Sequence, residues 1–458
     1  MGTSTGFRAR IGVVPTYRTS YRDWCREIHG RCRKALAAVD GVEVVEIPSA
    51  GPGATREGAV QSLDEAKAAA AFLRARGVDG IVILPLDFGD ERSPAEVAAD
   101  LRVPVLLFAT KEPPRQKGGR QSDSYCGTLT ISSALHRRGV PFRFGGVVFP
   151  EEPAFADEVA TFARAAAAAS GFRGARIGVA GHRPASFESV MCDEAALLRK
   201  FGQIAVPCDL GDLSEAAKAL SADDPRLAPL VAEIKGTGCR VPPDARIDMM
   251  ARVQLAFEDF ARAHGLAAIG GRCWPTLTRL AGFVPCAVYG RLTARGLPVS
   301  CEADVLGAGS MLLSYRSVLG RDVPHFIDWT VNHPTAPNRL LAWHCGNAPA
   351  CLAGDPSTIR LNDYGTYEFQ LRPGPVTFCR VMQYGDDWKM LIASGRAVTE
   401  PSAEGGTWSW IEVADHERHY RTLIEEGFIH HASMMHGDQA AILKEACVFL
   451  GLRPVVVA

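Results

Sequence analysis

Short runs rich in β-branched residues alternate with longer helical stretches through the first hundred residues, and this rhythm constrains the fold more than any other feature of the chain. ArgIleGlyValValPro at 10–15, ValGluValValGluIle at 42–47, GlyIleValIleLeuPro at 80–85 and ValProValLeuLeuPhe at 103–108 read as strands. Between the second and third, Ser62 to Arg76 sets Leu63, Ala66, Ala70 and Leu73 at helical spacing. That segment is long enough for the crossover that two parallel strands require, so a parallel sheet covered on both faces is expected. A near-copy of the opening, ArgIleGlyValAlaGly at 176–181, restarts the pattern and leads to IleAlaValProCys at 204–208. The alanine run Ala165 to Ala169 predicts a helix ending the first unit, since alanine has the best helix propensity.

Beyond about residue 331 the texture changes. Pro334, Pro337, Pro349, Pro356, Pro373 and Pro375 interrupt helices, and a strand at 374–381 leads through a GlyAspAsp turn into another at 388–395. TrpSerTrpIleGluVal at 408–413 is a further strand, and a helix is expected near Gln439 to Leu450. The expected architecture is therefore α/β: two tandem Rossmann-like α/β domains, 1–172 and 173–330, followed by a mainly antiparallel β C-terminal domain, 331–458.

Composition narrows the partners. The 458 residues are 47% hydrophobic and 22% charged, with 50 Lys+Arg against 51 Asp+Glu, which excludes disorder, collagen and coiled coil. A formal net charge of -1 offers no bulk attraction to phosphate backbones or anionic lipid, so neither nucleic acid nor membrane is an expected partner. The polar opening lacks the apolar core of a secretory signal, and no apolar run is long enough to span a bilayer. The 13 cysteines are odd in number, scattered and never spaced Cys-x-x-Cys, so reduced thiols in a cytoplasm are expected and a structural zinc cluster is not.

Familiar nucleotide and serine-hydrolase signatures are missing: no Gly-x-x-x-x-Gly-Lys-Ser/Thr, no dinucleotide-type glycine spacing after an early strand, and no Gly-x-Ser-x-Gly. What stands out is a set of acids and histidines set among apolar residues. These are CysGluAlaAspValLeuGlyAla at 301–308, HisPheIleAspTrpThr at 325–330, TrpHisCysGly at 343–346 and IleHisHisAlaSerMetMetHisGlyAsp at 429–438. A carboxylate buried without a partner costs several kcal/mol, so Glu302 and Asp328, if buried, need a cation, hydrogen-bond donors or a metal. Two carboxylates and an imidazole would suit a divalent cation, and hard oxygen donors favour Mn2+ or Mg2+ over structural zinc. Plainer readings exist for each residue. Glu302 and Asp304 suit a helix N-terminus, Asp328 a turn cap, and His344 a satisfied core histidine. His430 and His431 would face opposite sides of a strand, so only one of them should reach a given metal. Asp87, Asp90 and Asp123 are read as ordinary loop acids.

Taken with GlyArgCysTrpPro at 271–275, SerAspSerTyrCysGly at 122–127 and the GlyProValThr strand, these segments, in this order over most of the chain, resemble the L-fucose isomerase and L-arabinose isomerase superfamily of metal-dependent aldose/ketose isomerases. The resemblance implies that Glu302, Asp328 and His431 are the metal ligands, with Asp328 in place of a glutamate pointing to the fucose branch. It also implies that Glu302 and Asp328 form the acid/base pair acting through a cis-enediolate, and that Mn2+, or Mg2+ or Co2+, is the cofactor. Trp274, His344 and His430 would line the pocket of an open-chain sugar, and Arg18 would reach a neighbouring subunit's site in a trimer or hexamer. Two other functions fit the same features: a non-catalytic sugar-binding or sensor protein, and the same chemistry on an acidic sugar.

Overall fold

The structure, a computed structural model, describes residues 6–18, 22–112, 122–238, 243–402 and 405–457, so that Cys239 lies outside the described residues. The chain forms two compact units: Phe7–Gly171 with Lys444–Gly451, and a larger one of Phe172–Leu443 with the segment from Leu452 onward. No helix among the described residues is long and apolar enough to cross a membrane.

The smaller unit alternates β1 (Ala9–Thr16), α1 (Arg22–Ala38), β2 (Val42–Glu46), α2 (Leu63–Ala75), β3 (Gly80–Pro85), α3 (Arg92–Leu101), β4 (Val105–Thr110), α4 (Ser124–Arg137), β5 (Phe142–Val148) and α5 (Pro153–Phe172). The five strands form one parallel sheet in the order β2-β1-β3-β4-β5. Every residue of β3 and β4 is buried, as strands covered on both faces must be. Ser62 starts α2 by accepting the Glu65 amide, and Ala66, Ala69, Ala70 and Leu73 turn its small-residue face onto Ile81, Ile83 and Val105. The order reverses between β1 and β3, and the crevice beyond the carboxyl ends of such a strand pair is where open α/β sheets take ligands. Asp87, expected as an ordinary loop acid, is fully buried there. Its carboxylate accepts the Arg18 amide at 2.9 and 2.8 Å and the Gly89 amide at 2.7 Å, tying together the loops after β1 and β3.

The larger unit opens with a second parallel sheet. Its elements are β6 (Arg176–Ala180), α6 (Glu194–Phe201), β7 (Ile204–Cys208), α7 (Leu210–Ala219), α8 (Leu227–Lys235), α9 (Asp244–His264), β8 (Ala268–Gly271), α10 (Thr276–Ala281), α11 (Cys286–Ala294), β9 (Val299–Ser300) and α12 (Val305–Ser317), with strand order β7-β6-β8-β9. The chain continues through β10 (His325–Asn332), β11 (Arg339–His344), β12 (Arg360–Leu361), β13 (Tyr367–Gln370), β14 (Gly374–Tyr384), β15 (Asp387–Val398), β16 (Thr407–Glu412), α13 (His416–Glu425), β17 (His431–His436), α14 (Ala440–Leu450) and β18 (Arg453–Val457). Because β16 pairs with both β11 and β15, the strands β10, β11, β16, β15, β14 and β17 close into an antiparallel ring. The expected antiparallel region is thus a closed barrel with additional strands. Two of its pairings are parallel, β13 with β16 and β15 with β18, and the helix expected near the C-terminus is followed by that last strand.

Helix α12 joins the two sheets of this unit. It is buried on every side, as a helix with apolar residues all round must be. It packs against β8 on one side and against β14 and β17 on the other. Its few polar side chains are used: the Ser310 hydroxyl accepts the Val381 amide at 2.9 Å, and the Ser433 hydroxyl donates to that of Ser314 at 2.9 Å.

Helix α11 meets the loop after β11 at Gly290, where an added methyl would stand 2.6 Å from the Ala348 carbonyl oxygen and 2.7 Å from that of Asn347. Helix propensity alone would favour alanine there by about 1 kcal/mol. Overpacking against backbone typically costs about 1–3 kcal/mol. Gly290→Ala is therefore expected to lower stability in chemical denaturation. A stabilised variant would show that the loop yields freely and does not hold α11 in place.

Candidate active site

Three kinds of element deliver the acids and histidines to one place. Beyond β9 the chain turns tightly through Cys301, Glu302 and Ala303, and Glu302 (φ 54) and Ala303 (φ 56) are both left-handed. For non-glycine residues this costs about 1–2 kcal/mol each, strain of the kind that gathers at functional sites. Asp328 on β10 stands directly opposite His431 on β17 in the antiparallel register, which puts both side chains on one face. His344 is the last residue of β11.

The four side chains converge. His431 Nε2 lies 3.3 Å from Glu302 Oε2 and 3.5 Å from Asp328 Oδ1, and His344 Nε2 lies 4.0 Å from each of the same oxygens. Glu302, His344 and His431 are buried. Glu302 Oε2, Asp328 Oδ1 and His344 Nε2 are buried atoms with no hydrogen-bond partner among the described residues. Nearly all buried polar atoms in folded proteins are satisfied, so two unpaired carboxylate oxygens aimed at one imidazole, with a second imidazole alongside, form a group that suits a divalent cation. Glu302, His344 and His431 each offer a ligand atom within 4.8 Å of the others, and so do Asp328, His430 and His431. Burial pushes the Asp328 carboxyl up to about 6 against the pull of His431, and burial holds His344 below the ordinary imidazole range.

Asp304, which the sequence offered only as a helix N-terminal acid, does more. It does cap α12, accepting the Gly307 amide at 2.8 Å. Its carboxylate also accepts both terminal nitrogens of Arg380, at 2.5 and 3.1 Å, and Nδ1 of His431 at 2.8 Å. Asp304 and Arg380 are both 0% exposed. Burial would raise the Asp304 carboxyl, but the guanidinium charge and the His431 bond overrule it and hold the group well below the carboxylate range. An ionised carboxylate only accepts, so His431 Nδ1 carries the proton and Nε2 faces Glu302 and Asp328. Burial also works against charge on His431, yet the Asp304 bond and the carboxylates of Asp304, Glu302 and Asp328 around it raise it to about 9. Arg380 was legible in principle, as a lone cation inside the apolar run PheCysArgValMet.

The histidine pair departs from expectation. The strand starts at His431, so the alternation assumed for His430 does not apply, and the two rings lie 4.0 Å apart on the same side. Burial lowers His430 to about 4. Phe187, unforeseen in the sequence, sits between His430 (5.8 Å between ring centres) and Trp274 (6.1 Å), completing an aromatic wall. The thiols also converge more than their spacing implies. Cys273 contacts Glu302 Oε1 at 4.0 Å, and Cys273, Cys301 and Glu302 form a further group able to hold a metal. None of the twelve described cysteines is in a disulfide. Arg18 belongs to the smaller unit, where its Nε donates to the Gly89 carbonyl at 3.0 Å and its guanidinium stacks 4.2 Å above the Phe88 ring.

Comparison with known proteins adds an independent line. The fucose/sulfoquinovose isomerase N-terminal domain family matches residues 12–173, and the L-fucose isomerase C-terminal domain family matches residues 356–457. Sulfoquinovose isomerase of Alkalicoccus urumqiensis is 28% identical over 379 residues, covering 80% of this chain and 83% of that protein. The sulfoquinovose isomerase of Clostridium sp. (strain MSTE9) is 26% identical, covering 78% and 81%. That of Priestia aryabhattai is 24% identical over 461 residues, covering 97% and 96%.

Removing one member of a buried ion pair leaves the other charge without compensation, at a cost of about 3–5 kcal/mol. Asp304→Ala is expected to lose that much in urea unfolding, since it strands Arg380 and removes the cap of α12. The double variant Asp304→Ala/Arg380→Met should regain a large part of it. A loss under about 1 kcal/mol in the single variant would show that the pair does not organise this region.

Proposed function

The chain belongs to the L-fucose isomerase-like superfamily of aldose–ketose isomerases, and on that premise we propose that it interconverts an open-chain aldose bearing a terminal anionic group, of the sulfoquinovose kind, with the corresponding ketose. The observation that carries the proposal is that Glu302 Oε2 and Asp328 Oδ1 both lie within 3.5 Å of His431 Nε2, with neither oxygen hydrogen-bonded among the described residues. Two carboxylates with one or two imidazoles make a predominantly hard donor set, which favours Mn2+, with Mg2+ or Co2+ as substitutes. Held by Glu302, Asp328 and His431, with His344 alongside, such a cation would polarise the oxygens on C1 and C2 of the sugar and reduce the cost of negative charge there.

The protein's own groups then move the proton. One of the pair Glu302 and Asp328 takes the proton from C2 and the other returns one to C1, while the O2 hydroxyl proton passes to O1, so that the cis-enediolate collapses to the ketose with no net gain or loss of protons. His431 is oriented for its part by Asp304. Trp274, His430 and Phe187 supply an apolar face for the sugar carbons and exclude water from the reacting ones. The anionic substrate class is supported by the relatives, each a sulfoquinovose isomerase. Arg18 is proposed as a substrate-binding residue contributed by another copy in a trimer or hexamer. Its support is the family resemblance and its place at the switch point of the β2-β1-β3-β4-β5 sheet. The division into domains at residues 172 and 330 is proposed on the restart of the strand–helix pattern at 176 and the change of texture beyond about 331.

The test is a panel of neutral, deoxy, uronic and sulfonated sugars, incubated in deuterium oxide with EDTA-stripped protein and then with added Mn2+. Metal-dependent interconversion is expected, with deuterium entering at the former C2 or at C1. Tight Mn2+ binding without turnover of any sugar would overturn the enzyme reading in favour of a sugar-binding protein. Glu302→Gln should retain its fold and lose at least about a hundredfold in kcat, the scale of a positioned acid/base group; a variant keeping more than about a tenth of the rate would remove Glu302 from that role.

A further inference from the structure

We infer that Arg183 and Arg272, which emerge from the carboxyl ends of neighbouring parallel strands beside the candidate active site, form the subsite for the anionic terminus of the sugar. This inference rests on the isomerase reading above and names the residues that would set its substrate class.

The topology places them. β8 is flanked by β6 and β9, and all three run parallel. Ala180 on β6 is level with Gly271 on β8, and Gly270 on β8 is level with Ser300 on β9. Arg272 follows β8 directly, Arg183 follows β6 by a few residues, and Glu302 follows β9 by two. All three side chains therefore start from the same edge of one sheet, the edge at which open α/β sheets bind ligands. At about 4.8 Å per strand, Arg272 is one step from Glu302 and Arg183 two, roughly 5 and 10 Å across the sheet. An extended six-carbon sugar with bonds of about 1.5 Å spans roughly 6–7 Å from C1 to C6, so a sugar reacting at Glu302 carries its far end to the arginines.

Local contacts tie the same two residues to the aromatic wall. Arg183 Nη1 donates to the Phe187 carbonyl at 3.2 Å, and Arg272 Nε donates to the Trp274 carbonyl at 3.2 Å. Each guanidinium spends one donor on a wall residue and keeps the others. Among the described residues neither meets a carboxylate, whereas Arg226, Arg291, Arg339, Arg380 and Arg453 of the same unit all do. Both are half-buried, a setting in which a planar fork of N–H groups binds an oxyanion more strongly than in open water.

The experiment compares Arg183→Gln, Arg272→Gln and the double variant with the parent full-length, Mn2+-loaded protein. Substrates are a 6-sulfonated sugar, its 6-phosphate and uronate counterparts, and the neutral 6-deoxy sugar. Each single variant should raise KM for the sulfonated sugar about ten- to hundredfold, the scale of a charge-assisted hydrogen bond, with a much smaller change in kcat. The ratio of kcat/KM between sulfonated and neutral sugars should collapse in the double variant, and added salt should weaken sulfonate binding in the parent alone. Phosphate or uronate preferred over sulfonate would keep the subsite and change the anion it reads. An equal loss on sulfonated and neutral sugars would mean the arginines only shape the wall, and would overturn the inference. If the parent turns over no sugar, calorimetric binding of the sulfonated sugar decides: affinity unchanged in the double variant overturns the subsite, while a tenfold loss retains it although the isomerase reading has failed.

Discussion

The carboxylate of Asp304 organises the centre of the larger unit. It accepts from the Gly307 amide, from both terminal nitrogens of Arg380 and from His431 Nδ1, so its acceptor capacity is filled. A guanidinium with no solvent exposure is tolerable only with such a partner, and the partner is tolerable only with such donors. Through this one group the start of α12, the middle of β14 and the start of β17 are fixed to each other. The contrast with its neighbours is the basis of the functional reading. Asp304 is saturated and ionised, whereas Glu302 Oε2 and Asp328 Oδ1 lie on the far side of the same imidazole with no hydrogen bond among the described residues. A fold that satisfies one buried carboxylate four times over and leaves one oxygen of each of two others unpaired has set those oxygens aside for a ligand.

The site lies where two architectures within one unit supply different things. The parallel sheet ends in loops, and loops carry the residues that must take unusual conformations: Cys273 and Trp274 after β8, and Glu302 after β9. The barrel supplies residues whose positions are set by register, since Asp328 and His431 are direct partners across β10 and β17. Closure through the β15–β16 pairing removes the free edges that would otherwise let that register drift. Helix α12 carries the connection between the two sheets, which explains why its residues are almost all buried and its serines all engaged.

Much of this was written in local sequence. The βαβ rhythm, the restart at 176–181 and the hairpin at 374–395 follow from short-range pattern, and the structure has them. Glu302 and Asp328 were legible because a charge among apolar residues must find a partner, whereas His431 was singled out from His430 only by the family resemblance. Arg380 carried the same signal inside a strand-forming run, and Asp304 was assigned to helix capping because capping accounts for an acid there without any distant partner. His430 was misjudged for a geometric reason: period-two alternation holds only inside a strand, and the strand begins one residue later. Barrel closure and the meeting of Cys273 with Cys301 depend on contacts far apart in the chain, for which spacing along the sequence carries no information.

The turn at Glu302 brings these strands of argument together. Two successive left-handed residues without a glycine persist only when their surroundings over-determine them. Three constraints do so here. Ala303 is buried, Asp304 is locked immediately afterwards, and Gly270 on the adjoining strand leaves the room: a methyl at Gly270 would stand 3.0 Å from the Ala303 carbonyl carbon. A side chain at position 270 would therefore push the turn away from β8 and take the Glu302 carboxylate with it, out of reach of His431. Strain at this turn and order in the barrel are thus complementary. The register of β10 and β17 presents Asp328 and His431 on a rigid face, and the strained turn brings the remaining carboxylate over to meet them.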